Sequence, residues 1–444
     1  MTNNYLKRLI DKELLLWKNE PGHKPLLLRG ARQVGKSSSV RQLAESFESF
    51  VEINFEKNRN AHGLFAGDLD VREICRNLSV QFHQPIEPEK TLLFLDEIQA
   101  CPDAISALRF FYEDYPELHV IAAGSLLEFA LEELPSFGVG RIQSMFMYPF
   151  SFAEFMAACG EELLWDEVCK ASPEKPLIPL FHEKCMEYLK KFLVIGGMPA
   201  VVSIYVETHD FLATQKVLSG LINSLKSDFS KYKKRVPDLR IAAAFEAVVH
   251  QNGGKFNFAR VEQLSYRQVK ESLNLLQMAG LVVPVTHSSA NGIPLGAETN
   301  PKKQKMILLD TGIFQCILGV ELAELLFANE FDAINKGAIA EQYVGLELLK
   351  SASCYMPENL YFWTRENPKS SAEIDFLIQR GEKIIPIEVK SGTSGKMQSM
   401  HLFLDEKQPE YGIRTSLENF AVYDKIRVVP LYAIGNVKIS GIKY

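Results

Sequence analysis

The chain has 444 residues, with 49 Lys and Arg against 55 Asp and Glu; it is too long for one ordinary core, so two to four domains are expected. Hydrophobic residues make up 47% and charged residues 23%, which excludes disordered, low-complexity and fibrous classes. A net charge of −6 gives no global attraction to a polyanion, so any nucleic-acid binding must rest on a local basic patch.

Residues 1 to about 155 alternate short apolar strands with segments of helical period. The strands are PLLLRG (25–30), FVEINF (50–55), TLLFLDE (91–97), HVIAAGS (119–125) and the weaker RIQSMFMY (141–148). Unbroken apolar strands between helices predict a parallel sheet covered on both faces. The opening MTNNYLKRLIDKELLLWKN is broken by charges and no later stretch reaches bilayer-spanning length, so a cytoplasmic chain without membrane contact is expected. Seven cysteines are scattered singly without a CxxC, which argues for reduced thiols over disulfides or structural zinc.

From about 151 to 235 the pattern is helical, as in the run from Phe181 to Val194, with a break at Gly196, Gly197 and Pro199. An all-α lid and connector ends in the charged stretch KSDFSKYKKRVPD (226–238), read as a solvated face or linker. Residues 239 to about 318 have the order of a winged helix-turn-helix. Ser265 is the expected N-cap of a helix with Val269, Leu273 and Leu276 on one face, and Gly280 its stop. LVVPV and KMILLD then form the two strands of a wing. The last region, from about 330, opens with a helix (Gly337 to Lys350) and continues through LYFWTR, AEIDFLIQ and KIIPIEVK. The last two join at Arg380-Gly381, so an α/β domain built around a hairpin is expected.

The run GARQVGKS, Gly30 to Ser37, fits G-x-x-x-x-G-K-[ST], with an apolar strand before it and a helix-compatible segment after it. Gly30 and Gly35 allow a tight turn that aims backbone N–H groups at phosphate oxygens, and the helix N-terminus adds its partial positive charge. Gly30, Ala31, Arg32, Gln33, Val34, Gly35, Lys36, Ser37 and Ser38 are therefore the candidate nucleotide-binding residues. Lys36 is expected on the β- and γ-phosphates and the Ser37 hydroxyl on Mg²⁺. Four apolar residues, Leu92 to Leu95, lead into Asp96 and Glu97 at a buried strand end, where open α/β sheets bind ligands. Asp96 is the candidate Mg²⁺ ligand and Glu97 the residue that polarises the attacking water. Ser125 at the end of the next strand is a candidate for sensing the γ-phosphate or orienting the water; the competing role is to cap the helix LLEFALEEL. Arg141 is either a transition-state cation, for its own nucleotide or a neighbour's, or a surface arginine.

In the C-terminal region the candidates are Glu341 on a helix, Asp375 on a strand, and Glu388 and Lys390 on the next strand. Period-2 geometry puts Glu388 and Lys390 on one face, within reach of Asp375. Asp375 and Glu388 together suit Mg²⁺ or Mn²⁺ and phosphodiester attack by water, with the lysine neutralising charge on phosphate or assisting deprotonation. A buried salt-bridge network that braces the sheet is the competing reading. Arg267, Lys270, Lys302, Lys303 and Lys305 form a candidate basic surface for DNA phosphates; solvated lysines on an ordinary loop are the competing reading.

The segments LLLRGARQVGKS, LLFLDEIQ, GSLLEF, PFSFAEF, GGMPAVV, LLDTGIF, GAIAEQYV, EIDFLI and IEVKSG together resemble a family of prokaryotic AAA-type ATPases of unassigned function with a C-terminal domain similar to the PD-(D/E)xK nucleases. They cover nearly the whole chain. The resemblance implies an AAA-like five-stranded P-loop ATPase core (1–155), a helical lid and connector (156–238), a winged-helix segment (239–325) and a restriction-endonuclease-like α/β domain (326–444). It implies ATP with Mg²⁺ as cofactor through Lys36, Ser37, Asp96 and Glu97, and Glu341, Asp375, Glu388 and Lys390 as the nuclease-like set. DNA is the implied partner, an ATPase that controls a DNA-acting domain the leading activity, and a nucleotide-controlled binding switch without cleavage the alternative. No arginine matches the second sensor of AAA proteins, which leaves oligomeric action open.

Overall fold

The computed structural model describes residues 5–133, 138, 140–232, 236–319, 336–365, 372–392 and 397–437. The 325/326 boundary and residues 233–235 of the charged stretch lie outside them. The chain divides into two compact units, one of Met1–Pro149 with Met278–Gly280 and Ser353–Pro357, the other of Phe150–Gln277, Leu281–Ala352 and Glu358–Tyr444.

The first unit is built on five parallel strands, β1 (Leu26–Arg29), β2 (Ser49–Asn54), β3 (Thr91–Asp96), β4 (His119–Ala123) and β5 (Gln143–Phe146), in the order β2-β3-β4-β1-β5. Every residue of β3 and β4 is buried, as sequence runs with no polar alternation require of central strands in a sheet covered on both faces. Helix Val71–Phe82 turns Val71, Ile74, Cys75 and Leu78 inward, and helix Pro102–Asp114 turns Ala104, Ile105, Leu108 and Phe111 onto the same core. Asp70 caps the former by accepting from Arg72 N and Glu73 N, which satisfies two orphan amides of the first turn. β4 lies between β1 and β3, so the carboxyl ends of these three strands are neighbours.

The second unit starts with helices. Ser151 and Glu154 form a capping box on Phe152–Ala158, and the long helix Pro179–Ile195 stops at Gly196 with φ 73°. A side chain at Gly197 would meet Phe150 O at 2.3 Å, so the break after this helix is fixed by close backbone packing. Ser265 accepts from Gln268 N and its own N–H donates to Gln268 Oε1; Val269, Leu273 and Leu276 of helix Tyr266–Met278 are buried together.

The unit's sheet has eight strands: β6 (Val282–Ser288), β7 (Thr299–Leu308), β8 (Leu360–Thr364), β9 (Glu373–Arg380), β10 (Lys383–Val389), β11 (Gly412–Ser416), β12 (Ala421–Tyr423) and β13 (Ile426–Pro430). They run in the order β12-β13-β11-β10-β9-β8-β6-β7 with mixed pairing. β9 and β10 are the antiparallel hairpin read from the sequence, turning at Gly381 with φ 59°. β6 and β7 are antiparallel as expected of a wing, but the pair does not stand free. β6 lies parallel to β8, Val285 beside Leu360, because the buried side chains of β6 and β8 need a continuous sheet and not solvent. Among the described residues no helix is long and apolar enough to cross a membrane.

Candidate functional site

Between β1 and helix Lys36–Ala44, the glycine-rich loop holds three positive φ angles: Gly30 at 135°, Gln33 at 64° and Gly35 at 101°. A Cβ at Gly30 would lie 2.1 Å from Met147 O, so only glycine lets β1 pass this neighbour and turn. Ala31 and Val34 are buried, Arg32 half-buried, and Gln33 and Ser38 exposed. Gly280 packs against the loop, where a side chain would come within 3.1 Å of Ala31 Cβ.

Lys36 is buried and its Nζ donates to Gly30 O and Ala31 O, both at 2.8 Å. Burial pulls its pKa down to about 8, against the upward pull of Glu97 and Asp96. Ser37 Oγ donates to Asp96 Oδ1 at 3.1 Å, and Asn54 Nδ2 to Asp96 Oδ2 at 2.9 Å. Hydroxyl and carboxylate side by side at a helix N-terminus form a hard-oxygen donor set that fits Mg²⁺. Burial raises the Asp96 pKa, with Asn54 and Ser37 opposing it. On Glu97 the balance reverses: burial pushes up, but donors on Gln99 and Ser125 outweigh it and hold the carboxyl below its usual range. Gln99 Nε2 donates at 2.6 Å and Ser125 through both N and Oγ. Ser125 is thus tied to Glu97. Arg141 is paired with Glu113 and partly exposed.

Two members of this site escaped sequence reasoning. Asn54 had a readable signal, a polar residue at the carboxyl end of an apolar strand. Arg8 had none; it is buried, and donates to Val34 O at 2.9 Å and Tyr148 O at 2.7 Å, holding the loop from behind.

In the second unit, Glu341, Asp375, Glu388 and Lys390 line one pocket of about 440 Å³ together with Glu373. Glu341 projects from helix Lys336–Lys350; Asp375 on β9 accepts from Val389 N of β10 at 2.8 Å. Lys390 Nζ lies 2.6 Å from Glu388 Oε1, while Glu388 Oε2 is buried without a hydrogen-bond partner. Burial raises the pKa of all three carboxyls, that of Glu341 to about 7 despite the neighbouring Lys305.

Lys305 requires a correction. It does not belong to an exposed basic surface: it is 2% exposed, with Nζ 2.6 Å from Glu341 Oε1, 2.5 Å from Glu373 Oε1 and 3.6 Å from Asp375 Oδ1. The physical reason is long-range pairing: β7 joins the sheet that carries β9, which brings Lys305 to carboxylates that need a cation. Of the other basic candidates, Arg267 is exposed and paired with Glu271, Lys270 and Lys302 are exposed, and Lys303 is half-buried. Among the described residues no three His, Cys, Asp or Glu side chains are disposed as metal ligands; the carboxylates converge on an ammonium. Glu373 could have been read from its i, i+2 spacing to Asp375.

Beside this pocket runs an open groove lined by Phe256, Phe258, Tyr266 and Lys255. Phe256 bonds through its N–H to Gln304 O of β7, and Lys255 Nζ lies 3.7 Å from Glu373.

Residues 22–156 match the family model of an AAA domain, and the first unit carries an AAA-type P-loop ATPase domain. Residues 186–324 and 336–434 match models of two domains of unknown function, DUF8612 and DUF4143. No curated protein sequence matches the chain. Among solved structures the chain is similar to the Walker-type ATPase PABY2304 of Pyrococcus abyssi, at 14% identity and TM-score 0.44 over 71% of this chain and 97% of that one. It is also similar to the Aeropyrum pernix Orc1 protein in complex with DNA (12%, TM-score 0.30, 72% and 94%) and to Cdc6p of Pyrobaculum aerophilum (13%, TM-score 0.26, 73% and 96%).

Proposed function

We propose that the chain binds and hydrolyses Mg-ATP and uses the cycle to control a nucleic-acid-acting domain in its second unit. The observation that carries the ATPase half is the convergence of Lys36, Ser37, Asp96 and Glu97 on neighbouring strand ends, with Ser37 and Asp96 in hydrogen-bond contact. In this reading the loop amides and Lys36 hold the phosphates, Ser37 and Asp96 hold Mg²⁺, and Glu97 takes up the proton of the attacking water. Held there by Ser37 and Asp96, Mg²⁺ would supply charge neutralisation for the transferred phosphoryl group.

Support for nucleic acid comes from adjacency in the second unit. The groove exposes Tyr266 and part of Phe258, rings that suit stacked bases, and Lys255 connects it to the pocket of Asp375 and Glu388. Cleavage of single-stranded or plasmid DNA with Mg²⁺ or Mn²⁺ is the test. It should disappear in Asp375→Ala while nucleotide binding persists, and full cleavage by that variant refutes the assignment. The second reading, a nucleotide-controlled binding switch without cleavage, is favoured by the ammonium of Lys305 among the carboxylates. On that reading DNA affinity differs between ATP and ADP states and no metal elicits cutting.

A further inference from the structure

Lys305 lies on β7 opposite Val285 and is almost wholly buried. Its ammonium faces three carboxylates from two elements, Glu341 on its helix and Glu373 and Asp375 on β9, with the ring of Phe362 on a further side at 5.3 Å. A buried lysine is kept charged only by such surroundings. Oxygens of Glu341 and Glu373 lie 2.6 and 2.5 Å from Nζ and Asp375 Oδ1 at 3.6 Å, so all three carboxylates are already turned toward the ammonium. A fourth carboxylate, Glu388, is 4% exposed and lines the same pocket; its one ion pair is with Lys390, the Met400 backbone bonds to it as well, and its Oε2 is buried. The pocket therefore holds more acceptor capacity than its lysines satisfy.

We propose that Lys305 is a tethered cation occupying the place of a divalent metal ion in this pocket, so that metal and ammonium exclude one another. The inference rests on the reading of this pocket as a cation-dependent site, and it adds the residue that governs occupancy. Mg²⁺ or Mn²⁺ needs several oxygens drawn in to about 2.0–2.2 Å, which the carboxylates cannot supply while they are spread around a charged nitrogen. Withdrawal or loss of Lys305 leaves buried carboxylates uncompensated, and a divalent ion is the natural replacement. Lys390, paired with Glu388, is left in place for either state.

The test is Mn²⁺ binding to the full-length, nucleotide-free protein, followed by electron paramagnetic resonance. Lys305→Met should gain one Mn²⁺ bound at least about tenfold more tightly than wild type binds any in this pocket, because a competing internal cation has gone. The gain should vanish in Lys305→Met/Asp375→Asn, and Lys305→Arg should behave as wild type. Should Lys305→Met fail to fold, the charge-balanced Lys305→Met/Glu373→Gln carries the same expectation. Equal Mn²⁺ binding by wild type and by the methionine variant overturns the proposal. A variant that gains Mn²⁺ but leaves DNA intact upholds the exclusion and refutes only the cleavage reading.

Discussion

Ser125 donates both its backbone N–H, at 3.1 Å, and its hydroxyl, at 2.9 Å, to the same oxygen of Glu97. The end of β4 thereby fixes the carboxylate that β3 delivers, and Gln99 holds that oxygen as well. Glu97→Gln should keep nucleotide affinity within about threefold and lower kcat by about 100-fold or more, because a carboxamide cannot take up the water's proton. Ser125→Ala should lower kcat about tenfold with KM little changed, as expected for a group that positions another. Phosphate release and binding of a fluorescent nucleotide separate the two effects.

Nucleotide affinity should depend on pH through Lys36. Its pKa in the free protein is held near 8 by burial, and a polyphosphate favours the charged amine, so the bound value is higher. Below pH 8 the lysine is charged in both states and affinity is flat. Above it, binding must take up a proton, and affinity falls by up to about tenfold per pH unit. Calorimetry in buffers of different ionisation enthalpy should register that uptake at pH 9 and little at pH 7.

The first unit should lose stability in mild acid. His23 and His119 stack with ring centres 3.8 Å apart, and burial pulls His119 down to about 4 and lowers His23. His119 stays neutral in the fold down to about pH 4 and His23 is shifted in the same direction, while the unfolded chain protonates near pH 6.5. Their contribution is therefore intact above pH 6.5 and lost as pH falls from there toward 4. Urea midpoints at pH 7.5, 6 and 5 should decline, and His119→Gln should flatten the decline.

Asp310 joins two sequence motifs in the second unit. Its carboxylate accepts from Gly197 N at 2.6 Å and from Ile313 N at 3.0 Å, and a side chain at Gly196 would collide with it. Asp310→Ala leaves buried amides without partners and should cost about 2–4 kcal/mol of stability, measured by denaturant unfolding.

The five-stranded parallel sheet was legible because its central strands, β3 and β4, are buried along their whole length and alternate with helices; burial on both faces writes itself into composition. The phosphate loop was legible because glycine is demanded by backbone crowding at Gly30 and by left-handed geometry at Gly35. Lys305 was not. In KKQKMILLD, period 2 divides the lysines between two faces, but which face meets carboxylates depends on β7 and β9 sharing one sheet through β6 and β8. That pairing is long-range and leaves no local mark, and for the same reason the hairpin read as a separate wing is a sheet edge. Arg8 reaches Tyr148 O across most of the first unit's sequence, a contact no window of residues reveals.

The central claim is that the loop of Lys36 holds the phosphates of ATP. Isothermal titration of the full-length protein with Mg-ATP tests it most directly. Wild type should bind one nucleotide per chain, and Lys36→Ala, folded by circular dichroism, should bind at least about 100-fold more weakly through loss of the ammonium–phosphate contact. No uptake by wild type, or uptake undiminished in the alanine variant, contradicts the account.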